Sequence, residues 1–180
     1  MSARFSCGRK LGLAGLLLAG SMVWADGPTF SEREDRLRCG EVELVAKSDC
    51  VLLDSGKQCR RQTLTLHADG KEKTLPNDGR AVKKQLAGPG KVLDGFVTGW
   101  ACINSSKGTP YLLLAYSCSF GEERGACARG EKEWMRLFSL DGRHLTAGLS
   151  RQDKRADALF DRLGLSETLE AGVKMQGLDP

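Results

Sequence analysis

The chain has two histidines, no C-x-x-C pair and, beyond its first 25 residues, no apolar run long enough to cross a membrane. Neither a thioredoxin-type redox pair nor a zinc ribbon has its spacing here, and only two histidines could supplement thiolates as metal ligands. No metal or cofactor is expected. Serine-hydrolase chemistry lacks its motifs too: there is no G-x-S-x-G elbow and no S-x-x-K, and Lys107-Gly108-Thr109 has only a superficial likeness to a β-lactamase element. Gly88-Pro89-Gly90-Lys91 lacks both the upstream glycine and the following Ser/Thr of a phosphate loop, and reads as a turn. Acids and bases alternate through the hydrophilic stretches, where a nucleic-acid surface needs a basic face with interleaved aromatics. No nucleic-acid partner is expected.

What is present begins with Arg4, Arg9 and Lys10, a mostly apolar run from Leu11 to Val23, and Val23-Trp24-Ala25 before Asp26. These are the three parts of a secretory signal peptide, residues 1–25, with cleavage expected after Ala25. The run is too short to span a bilayer core of roughly 30 Å, and Cys7 precedes it, so neither an anchor nor a lipid attachment is expected. The expected product is periplasmic or extracellular and does not insert into a membrane. Without Arg4, Arg9 and Lys10, the 27 basic residues fall to 24 against 23 acidic ones. The basicity of the whole chain is therefore mostly a property of the leader.

Six cysteines follow the leader: Cys39, Cys50, Cys59, Cys102, Cys118 and Cys127. An even count in an exported chain reads as a disulfide framework. Cys50/Cys59 and Cys118/Cys127 each close a short glycine-containing loop, which leaves Cys39 and Cys102 to join distant strands. On the chain-entropy model the short loops contribute about 2.7 kcal/mol each and the long one about 4.3 kcal/mol.

Alternating hydrophobicity marks strands over Leu37–Ala46 and Arg60–His67, and Asp69-Gly70 turns the second toward Lys73–Leu75. Residues 26–35 read as a flexible arm. The stretch from Pro76 to Gly90 reads as a connection in which only Ala81–Leu86 has helical character. The strongest apolar runs, Val92–Ile103 and Tyr111–Cys118, carry apolar residues on both parities, which places them centrally. Trp134–Leu140 and Arg143–Leu149 read as a hairpin across Asp141-Gly142. A helix over about 151–164 follows, capped by Ser150 and stopped by Gly164. The expected fold is one mainly β (α+β) domain over 36–180, an antiparallel meander forming a curled sheet or partly closed barrel with one C-terminal amphipathic helix.

Catalytic candidates are diffuse. Asp54, Asp94, Glu122, Glu123, Glu131, Glu133 and Asp141 are the carboxylates from which a glycosidase pair would be drawn, and sequence cannot pair them. His67 and His144 read as surface histidines. The segment Ser119–Glu133 crowds charge around Cys127, and a stapled charged loop is ordered before it binds. Arg124 and Arg129 are its expected partner contacts, either against an acidic partner or as substrate-like arginines offered to a trypsin-like protease. Trp100 and Trp134 have both a core reading and a reading as aromatic anchors on a binding face. The functional expectation is an exported binding protein, an inhibitor or immunity-type factor acting on another protein or envelope component. Its format is similar to that of periplasmic inhibitors of cell-wall hydrolases built on small β-barrels, with no motif matched. The alternatives are a small secreted hydrolase with a carboxylate site and an accessory envelope subunit without independent activity.

Overall fold

A computed structural model describes residues 29–54, 56–83, 90–119, 127, 132–149 and 153–178. The chain is mainly β. The first sheet takes β1 (Ser31–Cys39), β2 (Val42–Leu53), β3 (Gly56–Ala68) and β4 (Lys71–Thr74) in sequence order. A two-stranded ribbon, β5 (Ala81–Lys83) with β6 (Lys91–Leu93), leads into β7 (Gly95–Asn104), β8 (Pro110–Cys118) and β9 (Glu133–Ser139). After α1 (Lys154–Leu163) and α2 (Ser166–Glu170), β10 (Gln176–Gly177) returns to pair with β7, giving a second sheet in the order β10-β7-β8-β9. All pairings are antiparallel and neither sheet closes.

Alternation within each strand makes the two sheets a sandwich. In the first, Leu44↔Leu66 and Ala46↔Leu64 turn inward while Glu43↔His67 and Lys47↔Thr63 turn outward. In the second, Leu112↔Phe138, Leu114↔Arg136 and Tyr116↔Trp134 share the face that meets those leucines. Trp100, fully buried, fills the space between. The opposite face of the second sheet is apolar as well, through Ala101, Ile103, Tyr111, Leu113 and Leu137. It is covered by Leu165, Phe160, Leu163 and Leu169 of the helical segment. Burial on both faces is why these strands carry apolar residues on both parities.

A polar residue locks the sheets together. Gln62 is the inward residue that precedes Leu64 on β3, and its Oε1 accepts from Val97 N–H at 2.7 Å. Its Nε2 donates to the Val97 carbonyl at 2.9 Å and to Ser48 Oγ at 3.1 Å. The amide thus mimics a peptide unit beside β7, where a bulge between Val97 and Gly99 interrupts the ladder. The Asp69-Gly70 turn has positive φ at both residues, 51° and 70°, the geometry of a two-residue hairpin.

Several local expectations are corrected. Ser31–Asp35 are not an arm but the first half of β1, paired from Ser31↔Cys50 onward. The strand expected over Leu37–Ala46 is split by a turn at Gly40 and Glu41 into β1 and β2, because Gly40 adopts φ 60°. Ala81–Lys83 form a strand instead of helix, because β6 supplies them with ladder partners. Beyond Asp141-Gly142 only one bridge, Phe138↔His144, forms, so the expected Arg143–Leu149 strand is reduced to a short edge contact. Ser150 lies outside the described residues, and the helix cap is supplied by Asp153, whose Oδ1 accepts from Arg155 N–H at 2.9 Å. The Arg155 side chain pulls that carboxyl down to about 2. Gly164, at φ 70°, closes the helix as expected, and its carbonyl accepts from Ser106 N–H at 2.8 Å, seating the β7–β8 turn on the helix end. The helix α2 and strand β10 have no counterpart in the sequence reading.

Candidate functional site

A group of interacting, largely buried polar side chains lies at the β9 edge of the second sheet. Inward parity on β9 brings Arg136 between Trp134 and Phe138, so a cation enters an apolar layer and requires a counter-ion. Asp78 provides it from the segment after β4. That segment is held by Leu75 N–H donating to the Leu64 carbonyl at 2.8 Å and by Asn77 Nδ2 donating to the Gln62 carbonyl at 3.1 Å. Asp78 Oδ2 accepts from Arg136 Nε at 2.5 Å and from Trp134 Nε1 at 3.1 Å. Arg136 Nη1 donates to the Met135 carbonyl at 3.2 Å and to the Leu149 carbonyl at 3.1 Å. One guanidinium thereby ties together the edge strand, the segment after it and the 75–80 segment.

Two rings stack against this ion pair. Tyr116 lies on Trp134 with centroids 5.3 Å apart, and His144 lies on Phe138 at 4.5 Å. Among the described residues the Tyr116 hydroxyl and His144 Nε2 are buried without a well-formed hydrogen bond, although the Asp78 backbone lies against the Tyr116 oxygen. Burial first, and then the Asp78 carboxylate, push the Tyr116 hydroxyl well above the usual phenol range. Burial also holds His144 below the usual imidazole value, with Asp78 opposing and Arg136 reinforcing the shift. Such a cluster has a structural role in joining segments and the ingredients of a proton-handling one. Replacing Tyr116 by Phe separates them. The stack survives and a buried hydroxyl without a well-formed hydrogen bond is removed, so the variant should gain stability, by up to about 1 kcal/mol in urea unfolding. A loss of stability would mean that the hydroxyl has a partner in solution.

Across Arg136, on the helix side of the sheet, is a cleft of about 250 Å³ lined by Leu113, Met135, Thr146, Phe160, Leu169 and Val173, among others. Thr146 Oγ1 already accepts from Leu137 N–H at 2.9 Å, so the lining offers apolar surface and no free acid, base or nucleophile. A larger basin on the outer face of the first sheet, about 400 Å³, is bordered by Glu32, Glu34, Lys47, Asp49 and Arg61. These charges are paired among themselves or with neighbours: Arg61 with Glu32, Lys47 with Glu34, and Asp49 with Arg60.

The structure pairs Cys39 with Cys102, Cys50 with Cys59 and Cys118 with Cys127, the same pairs that spacing suggests. Their positions matter more than their number. Cys50 and Cys59 pack with Leu93 and Phe96. Cys118 stands opposite Gly95, and Cys127 Sγ lies 3.7 Å from the Asp94 carbonyl oxygen. Ser119 is anchored to the same stretch through the carbonyls of Leu93 and Asp94. Both short staples therefore flank residues 93–96 at one end of the sandwich. The third staple joins the first sheet to the second, β1 to β7.

No protein-family model, curated protein or solved structure matches this chain.

Of the residues expected to act, Arg124 and Arg129 lie outside the described residues, as do Glu122, Glu123 and Glu131. Trp100 and Trp134 lie in the core between the sheets. Both indoles are buried, at 0% and 4% exposure, because inward parity on β7 and β9 commits them to the core between the sheets. The remaining carboxylates occupy separate places: Asp54 is exposed at the β2–β3 hairpin, Asp94 accepts from Arg80 N–H at 2.6 Å, Glu133 is exposed, and Asp141 is engaged by Ser139 and Arg143. The carboxyls with resolved shifts, Glu34, Asp141 and Asp153, all move downward, chiefly through hydrogen bonds from Arg36, Ser139 and Arg155 respectively. A glycosidase acid needs the opposite shift. The histidines are not brought together: His67 faces Glu72 at 3.3 Å on the first sheet, and His144 packs on Phe138 of the second. Among the described residues no three potential metal ligands cluster. Sequence reading missed the Asp78–Arg136 pair, although a signal existed. Arginine on the inward parity of Trp134-Met135-Arg136-Leu137-Phe138 announces a buried charge.

Proposed function

We propose that this is an exported binding protein that acts by occupying another envelope or extracellular macromolecule, as an inhibitor or immunity-type factor does. The observation that carries the reading is the convergence of two short disulfides, Cys50–Cys59 and Cys118–Cys127, on residues 93–96 at one end of the sandwich. Loops held by a rigid scaffold are where binding residues concentrate, and loops ordered in advance lose less entropy on association. Three disulfides fit an oxidising compartment, and no helix among the described residues is long and apolar enough to cross a membrane. Residues 1–25 supply the export signal in this reading, which makes Asp26 the first residue of the working form.

The test combines capture with turnover. The oxidised chain beginning at Asp26 should saturate a single partner from envelope extract at fixed stoichiometry, and should hydrolyse neither peptidoglycan nor polysaccharide substrates. Turnover that disappears in Asp94→Asn or Asp141→Asn would replace this reading with a carboxylate hydrolase.

A further inference from the structure

The β2–β3 hairpin runs past the end of β1. Pairing with β1 stops at Ser31↔Cys50, whereas β2 and β3 stay paired through Val51↔Gln58, Leu52↔Lys57 and Leu53↔Gly56. Cys50 and Cys59 face each other with Cα atoms 4.0 Å apart, the short spacing of a pair that does not exchange ladder hydrogen bonds. Alternation then makes Val51↔Gln58 the bonded pair and Leu52↔Lys57 a second non-bonded one. The N–H and C=O of Leu52 therefore point away from β3, to the side on which pairing with β1 has ended. Its side chain is 62% exposed, the most exposed large hydrophobe among the described residues.

The base of this hairpin is firmly held. The register shift at Asp49/Cys50 leaves Arg60 as the extra residue of a bulge. Arg60 reaches Asp49 at 3.1 and 3.3 Å and lies 4.2 Å from the Phe30 ring centre. Lys57 Nζ donates to the Leu178 carbonyl at 3.2 Å and sits 5.8 Å from the Phe96 ring centre. Val51 is buried beside Leu52, so among the described residues of the hairpin it is Leu52 that shows a donor, an acceptor and an exposed apolar side chain in extended form.

We infer that this hairpin is a substrate-mimicking loop that occupies the cleft of an endopeptidase whose primary pocket takes leucine. Extended-peptide recognition combines main-chain hydrogen bonds along one strand edge with a pocket for a side chain, and Leu52 presents both at once. The chemistry of inhibition follows from the staple. A protease nucleophile adding to the Leu52 carbonyl carbon breaks the Leu52–Leu53 C–N bond and sends a proton to the Leu53 nitrogen. That amine stays in place, because Leu53 pairs with Gly56 and the two halves remain joined through Cys50–Cys59. It can attack the acyl carbon, re-form the peptide bond and expel the nucleophile, so ligation competes with release.

This inference rests on the binding-protein reading and names its partner class. The test titrates the oxidised protein against chymotrypsin and subtilisin, which accept large apolar residues, and against trypsin. Stoichiometric inhibition of either of the first two, with trypsin unaffected, is the expected result. Leu52→Lys should weaken that inhibition at least about 30-fold and create trypsin inhibition, with an unchanged melting temperature. Rapid cleavage at Leu52–Leu53 followed by dissociation would overturn the inference. So would inertness of the folded, oxidised wild type toward the first two together with inertness of Leu52→Lys toward trypsin. A saturable envelope complex that Leu52→Lys leaves intact would sink this inference while leaving the binding-protein reading in place.

Discussion

Removing the Cys39–Cys102 bridge, as Cys39→Ala with Cys102→Ala, should lower the free energy of unfolding by about 4 kcal/mol and the melting temperature by roughly 10 °C. The bridge closes a loop of sequence separation 63, against 9 for each of the others. Loop-closure entropy rises with the logarithm of loop length, so its removal frees the unfolded chain most. It is also the covalent tie between the two sheets, since Cys39 ends β1 and Cys102 lies on β7. Each sheet on its own leaves half of the Leu44–Trp100–Phe138 core exposed. A domain of this size has a total stability of about 5–15 kcal/mol, so a loss of 4 is a large fraction. Urea unfolding of the double variant, beside a Cys50→Ala/Cys59→Ala control, measures it. A loss below about 1 kcal/mol would mean that the inter-sheet packing and the Gln62 bridge suffice without the bond.

Truncating Arg136 should cost nearly as much. Arg136→Ala removes the only cation bonded to Asp78 among the described residues, leaving a carboxylate 24% exposed beside the Trp134 indole, and releases the Leu149 carbonyl from the sheet edge. Breaking a largely buried pair from one side costs about 3–5 kcal/mol, since the surviving charge loses its compensation. The double variant Asp78→Asn/Arg136→Met should recover part of that loss, because no uncompensated charge remains. Equilibrium unfolding of the two single variants and the double gives the coupling. Strictly additive losses would show that the two side chains act independently and that the pair is not a staple.

How far the residues alone foretold this arrangement depends on how local each determinant is. Asp69-Gly70 and Gly164 act over three or four residues, and both were legible. The strand from Ser31 to Asp35 is not legible in the sequence, where the stretch 26–35 reads as an arm, because Glu32, Arg33, Glu34, Asp35 and Arg36 show no alternation of hydrophobicity. Their strand is specified by the ladder with β2 and by ion pairs such as Arg36 with Glu43 and Lys47 with Glu34. Ala81–Lys83 had weak helical character and no local reason to extend, and only a partner ten residues away made them a strand. Trp100 and Trp134 illustrate a subtler limit. Aromatic residues on a strand suit a core and a binding face equally, and parity decides only when the identity of the covered face is known.

The candidate site follows the same division. That Cys50–Cys59 and Cys118–Cys127 would close short loops, and that Cys39 and Cys102 would then be left to pair, rests on spacing, which the linear sequence carries. That the two short disulfides flank residues 93–96, that Asp78 answers Arg136 across 58 positions, and that Leu52 stands exposed beyond the first residue of β1 depend on how the sheets lie together. Periodicity and turn chemistry are short-range and survive in one dimension. Charge compensation, the shared end of a sandwich and the open side of an edge strand are relations between segments, and they exist only once the hydrophobic faces have paired.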